Sequence, residues 1–282
     1  MLARTCIPLL LAACRFFQQS MRNTLANVVV FIAMDTPITT ADKGALLSMI
    51  PLGYFLTQVP GGALADIMGA KNVITAAMLL SALCCLILPA ASDTFGKNGL
   101  CFVLFLMGAV QGPLFPVSSV FLAQWCPKSR PGEPDEKAWA TSMLDVGISV
   151  GTLAIVPVVS LLATSVGWRT TYHIVGLASV GFVGIWHVFA SASPSDCWYI
   201  SKEEKAFLEK NVSASPRKKP ASKAVTAEEE QLSLFARIVG VPWNIARHPG
   251  LWAVFVSHMA FNFGAYYLTN WSPTYYKDVL QV

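Results

Sequence analysis

Apolar residues in this chain gather in stretches too long to be one face of a soluble helix. Six follow one another in the first two thirds, at about 7–34, 44–65, 72–91, 99–125, 138–165 and 170–192, and a seventh covers 251–271. Each approaches or exceeds the roughly 20 residues that a helix needs to cross a bilayer core. Short connections separate the first six. Proline and glycine recur inside them (Pro51, Pro60, Gly61, Gly62, Pro113, Pro116, Pro157). Membrane helices tolerate such breakers because neighbouring helices re-satisfy the freed backbone groups. The pattern predicts an all-α membrane protein with a six-helix bundle over residues 1–192 and a further transmembrane helix over 250–282.

Between them, residues 193–249 are polar, with PSD, SKEEKAFLEK and SPRKKPASKAVTAEEEQ in succession. Ser201 ahead of Lys202, Glu203 and Glu204 has the form of a capped start for a short surface helix. The Pro/Ala/Ser/Lys stretch after Asn211 is expected to be flexible. The segment reads as a linker between two membrane bundles, with contact of Arg217 to Lys219 and Lys223 with anionic headgroups as the alternative.

Composition agrees with a lipid environment: 54% of the 282 residues are hydrophobic and 13% charged, against roughly 25% charged in soluble domains. The net charge of +4 does not point to nucleic acid, because the basic residues concentrate in one loop. Seven cysteines lie in or beside apolar runs without the spacing of a metal site or a disulfide framework, and are expected to be small apolar packers. Lysine and arginine favour the side that holds the N-terminus and the long loop, which the positive-inside rule makes cytosolic. Which membrane is involved stays open. Arg4, the run from Ile7 and Leu11-Ala12-Ala13-Cys14 mimic a lipoprotein signal, but the apolar segment continues through Ile32.

The most specific stretch is 53–74, GYFLTQVPGGALADIMGAKNVI. Its G-x-x-x-D-x-x-G-x-K core (Gly62, Asp66, Gly69, Lys71) resembles the loop between helices two and three of major facilitator transporters, with Ile67 where that pattern carries a basic residue. The longer form GY-x-x-TQ-x-PGG-x-LAD-x-x-GAK resembles the anion/cation symporter family of sialin, the vesicular glutamate transporters, the type I sodium-phosphate transporters and the plant plastid phosphate transporters. Residues 111–125 (QGPLFPVSSVFLAQW), Gly147, Gly151 and Pro157 with Gly167-Trp168, residues 193–209, and VPW followed by 251–279 match the same family in register.

The resemblance implies two six-helix halves with substrate held near the midplane between them. It covers one half and a single helix of the other, so the chain is expected to be a fragment or a naturally short paralogue lacking the C-terminal half. In this family the fourth-helix acid that exchanges the driving proton corresponds to Gln111, and a nearby arginine to Leu104. An amide does not titrate. Sodium coupling, potential drive, exchange, or another group such as His258 remain. The extra arginine of glutamate transporters corresponds to Phe261, which disfavours glutamate as substrate.

Charges within a bilayer are costly and mark pathways or paired structural sites. Arg15, Arg22, Asp66 and Asp145 are the candidates. Arg22 matches the first-helix arginine of the family, and its fork suits phosphate or carboxylate oxygens. Seven residues separate it from Arg15, which places both on nearly one face about 10 Å apart. Backbone carbonyls for Arg22 and snorkelling for Arg15 are the alternatives. Asp66 is expected to latch against a helix of the absent half, and Asp145 to be either a solvated dipole partner or a functional carboxylate. Asn262, Tyr266 and Tyr267 complete the residues that could face a cavity.

The expected function is alternating-access transport of small inorganic or organic anions, phosphate first, with Arg22, Gln111, Asn262 and Tyr266 binding substrate. The alternative is a non-transporting half-transporter that serves as a membrane scaffold. No enzyme constellation, metal cluster or nucleotide loop is present in the sequence. The expected partners are the lipid bilayer, a small anion with a co-transported sodium or proton, and the C-terminal half.

Overall fold

The computed structural model of the chain describes residues 3–36, 38–127, 136–211 and 247–280. The side chains of Val59, Gly62, Ala63, Asp66, Glu209 and Asp278 lie outside what is described. Among the described residues there is no strand. The long helices are α1 (Ala3–Asp35), α2 (Thr40–Met68), α3 (Ala70–Gln111), α5 (Glu136–Val166), α6 (Trp168–Phe189) and α8 (Pro249–Asp278). Two short ones, α4 (Leu114–Ala123) and α7 (Lys202–Asn211), and a 3-10 turn at Pro194–Asp196 complete the order.

The sequence places a polar break between its third and fourth spans at residues 92–98. Instead, helical hydrogen bonding runs through it, and the chain reverses at Gly96 alone, whose φ of 56° and ψ of −138° lie outside the helical region. Only glycine enters that conformation at little cost. α3 is thus two limbs, and the second limb with α4 forms the fourth span. Gly69 (φ 85°) and Gly167 (φ 84°) make the equally tight turns α2–α3 and α5–α6.

α1 packs chiefly on α5, α2 on α3, and α3 on α6. Glycines set how close they come. A Cβ at Gly147 or Gly151 would strike the backbone of Ala12 or Phe16 in α1, and one at Gly108 or Gly53 would strike α2 or the second limb of α3. Gly147 and Gly151, four residues apart, follow the small-xxx-small logic of membrane helix contacts. Span one against five and span two against four are related contacts if spans one to three and four to six are swapped, as in an inverted repeat. Trp125, Trp186, Tyr172 and Phe121 fill the interior, and the Trp186 indole donates to the Thr75 hydroxyl at 3.0 Å.

Ion pairs hold the two ends. At the end away from the N-terminus Arg169 bonds Asp35 at 2.6 Å and Asp93 at 2.9 Å, while Lys97 meets Asp42 at 2.7 Å. Asp42 also closes a capping box with Thr39. At the opposite end Ser201 caps α7 by accepting from the Glu204 amide. The Glu204 carboxylate reaches across to accept from the backbone N–H groups of Ala3 and Arg4 at 3.1 and 2.9 Å. A carboxylate there satisfies two orphan donors and favours the positive end of the α1 dipole. No disulfide joins the seven cysteines, and Cys14, Cys84, Cys85, Cys126 and Cys197 are buried, as expected for small apolar packers.

Three helical stretches are long and apolar enough to cross a membrane by length and composition: Ala70–Ala123, which is the bent pair, Glu136–Val166 and Trp168–Phe189. α1, α2 and α8 match them in length, at 33, 29 and 30 residues, but polar residues dilute them. Those three more polar helices supply all but one of the residues that line the cavity described next.

Candidate functional site

A cavity of about 260 Å³ opens between α1, α2, α5 and α8. Gln19, Arg22 and Asn23 line it from α1, Leu47, Ile50 and Pro51 from α2, Ile148 from α5, and Asn262, Tyr266, Thr269 and Asn270 from α8. Its polar lining is amide, hydroxyl and guanidinium, with no carboxylate among the described lining residues.

Arg22 is the centre. One guanidinium nitrogen donates to the Tyr266 hydroxyl at 2.5 Å. Its carbon lies 4.9 Å from the Tyr54 ring centre and 5.4 Å from that of Tyr266, so the cation is clasped between two aromatic faces. The clasp fixes where the fork points and satisfies part of its charge without a counterion. Several of its five donors therefore stay free for a ligand.

Of the residues singled out from the sequence, Arg22, Asn262 and Tyr266 come together here. The Asn262 amide donates to the His258 carbonyl at 2.8 Å, leaving its side-chain oxygen toward other partners. His258 is exposed one turn away and does not line the cavity. Tyr267 turns outward and stacks with Phe263 at 6.5 Å. Gln111 is fully buried, does not line the cavity, and has neither side-chain atom hydrogen-bonded. Tyr54 is a clasp residue that sequence reading missed; the GY of the motif was its signal.

The loop motif divides. Gly69 forms the turn, its N–H donating to the Ala65 carbonyl at 3.0 Å. Lys71 donates to the His187 carbonyl in the last turn of α6 at 3.2 Å, where a cation meets the negative end of a helix. Gly62 lies in α2, and the latch expected of Asp66 falls on a side chain outside the described residues.

The TQ of the longer motif has a physical task. Pro113 has no N–H to give the Ala109 carbonyl four residues earlier. The Thr57 hydroxyl of α2 supplies that bond instead, at 2.6 Å. A Cβ at Gly112 would sit on that same hydroxyl, so the glycine beside the proline is what lets Thr57 reach in.

No group of three metal-ligating side chains occurs among the described residues. Comparison with known proteins gives the wider context. The chain is 28% identical to "Probable anion transporter 6" of Oryza sativa subsp. japonica over 259 residues, 91% of this chain and 54% of the relative. It is 28% identical to the chloroplastic "Ascorbate transporter" of Arabidopsis thaliana over 248 residues, 86% and 40% of the two chains. It is 26% identical to a "Putative inorganic phosphate cotransporter" of Drosophila melanogaster over 246 residues, 86% and 42%. The chain thus spans about half or less of the length of these relatives. The family model of the Major Facilitator Superfamily matches residues 10–282. With that match across nearly every span, the chain belongs to the Major Facilitator Superfamily.

Proposed function

We propose that the protein containing this chain is a secondary transporter of small anions, with Arg22 as the group that holds the anion. The observation that carries this reading is a guanidinium held by Tyr54 and Tyr266, rather than by an acid, in a cavity whose described lining has no carboxylate. An oxyanion bound there gains charge-assisted, fork-matched hydrogen bonds. The relatives named as anion and phosphate transporters support the same class. Phosphate is the first substrate to try, and sugar acids and other carboxylates follow.

Alternating access would rock this bundle against a second one, with the Arg22 cavity at the seam between α1 and α8. Gln111 cannot exchange a proton, so coupling runs through sodium, the membrane potential, exchange, or a group other than Gln111. The test is uptake of labelled phosphate by the full-length protein in liposomes under sodium and proton gradients. Uptake that survives Arg22→Ala unchanged refutes the anchor. Gln111→Glu is expected to confer a pH dependence on uptake beyond any that the parent shows.

A further inference from the structure

Seven residues before Arg22, a second arginine has different surroundings. Arg15 is 4% exposed. Its Nη1 donates to the Gln18 side-chain oxygen at 2.6 Å, and its Nε–H has no partner. It makes no ion pair among the described residues. Asp145 of α5, three residues before the cavity-lining Ile148, is the carboxylate whose field reaches it. A buried cation without a contacting counterion is a costly arrangement that packing alone does not explain.

Two further observations sit beside it. The ring of Phe115 covers the Arg15 guanidinium at 5.3 Å, and that ring is itself 52% exposed. Gln111 lies one turn before Phe115 and is fully buried with both amide atoms unpaired. Buried polar atoms almost always have partners. Arg15, beneath the Phe115 ring, and Gln111, four residues before that ring in the chain, thus both carry unused donors. The cover is mounted just past Gly112-Pro113, where α3 gives way to α4, so a small rotation at that junction would shift the ring relative to Arg15.

We propose that Arg15, with Gln18 and Gln111, forms a second anion-holding position closed over by Phe115, which the transported anion occupies between the Arg22 cavity and the face that carries the N-terminus. The ligand is a small oxyanion of the kind Arg22 holds, and the proposal rests on the anion-transport reading. The two guanidinium groups lie about 10 Å apart along α1, one handover for an ion the size of phosphate. Phe115 moves aside when the ion enters and closes behind it. Gln111, as an amide, offers donors at any pH.

The test is sided. The full-length protein is reconstituted, and labelled phosphate is supplied from the N-terminal face or from the opposite face. Arg15→Gln is expected to raise the apparent KM from the N-terminal face about tenfold and to change it less than about twofold from the other, since one charge-assisted contact is worth roughly that factor. Arg15→Lys keeps the charge without the fork and should fall between. Phe115→Ala should speed phosphate–phosphate exchange. Equal effects of Arg15→Gln at both faces, or none, overturn the second position while leaving Arg22 transport standing. If Arg15→Gln does not reconstitute, wild-type sidedness in Arg15→Lys together with wild-type exchange in Phe115→Ala overturns it. A parent protein that moves none of phosphate, sialate or ascorbate overturns both readings together.

Discussion

The stretches of α1 around Arg15 and around Arg22 share a helix, a face and a residue type, yet they are built in opposite ways. Around Arg22 the helix meets α8 and α2 across open space, and two tyrosines hold the cation by ring and hydroxyl. Around Arg15 the helix is pressed against α5, with Gly147 and Gly151 letting the backbones touch at Ala12 and Phe16, and one glutamine and one phenylalanine enclose the charge. The same side chain is therefore presented in one place and stored in the other. The difference lies in what meets the helix: two tyrosines from α2 and α8 at Arg22, and a neighbouring glutamine with one phenylalanine ring at Arg15.

The comparison breaks most visibly at Arg22. Arg22→Ala should lower phosphate uptake about 100-fold, the loss of two charge-assisted bonds at roughly 1.5 kcal/mol each, while leaving the melting temperature of the detergent-solubilised protein near that of the parent. A large stability loss with it would mean that the cation is structural after all. Next comes Thr57→Val, which strands the Ala109 carbonyl. It should cost about 1–2 kcal/mol, read as a lowered midpoint in thermal unfolding, with phosphate affinity at the Arg22 cavity retained.

Tyr266→Phe sharpens the contrast more gently. It removes the hydroxyl contact with Arg22 and keeps the ring, and should alter phosphate affinity by about fivefold, near 1 kcal/mol; Tyr266→Ala, which takes the ring as well, should do more. The floor is set far from both arginines. The Lys97 ammonium, then the Thr39 amide and hydroxyl, hold the Asp42 carboxyl down to about 2. A depressed carboxylate pKa gives stability that is present above the ordinary carboxylate range and fades as pH falls toward 2. Asp42→Asn should therefore lower stability slightly and equally between pH 5 and 8, and the difference should shrink below pH 4 and in high salt. A growing difference in acid would contradict the pairing.

Much of this was readable in the residues. Apolar runs of bilayer length anticipated the long helices, whereas Arg22 was singled out by the family resemblance, and Asn262 and Tyr266 only as polar or aromatic groups of the last helix that could face a cavity. Ser201 announced α7 by local capping chemistry. Other features depend on contacts that local patterns do not carry. Residues 92–98 read as a loop because Ser92, Asp93, Thr94, Lys97 and Asn98 are polar, but those side chains lie at a helix end where charge is cheap, and a single glycine makes the whole turn. Glu204 looked like part of a local cap; its carboxylate serves α1 instead, 201 positions away. Gln111 was expected at the substrate cavity, yet its side chain is buried within the bundle and outside the cavity lining, since a family register fixes position along a helix and not which neighbours close around it.

The bond from Thr57 to Ala109 ties two segments 52 positions apart in the chain. Its presence makes sense only because Pro113 withdraws a donor from the helix it interrupts. Restoring that donor with Pro113→Ala should make Thr57 dispensable, so a double-mutant cycle across the pair should return a coupling near the value of the bond itself. Over evolutionary time the two positions then behave as one heritable unit: a lineage that loses the proline is free to lose the threonine, and one that loses the threonine first carries a debt until the proline goes too.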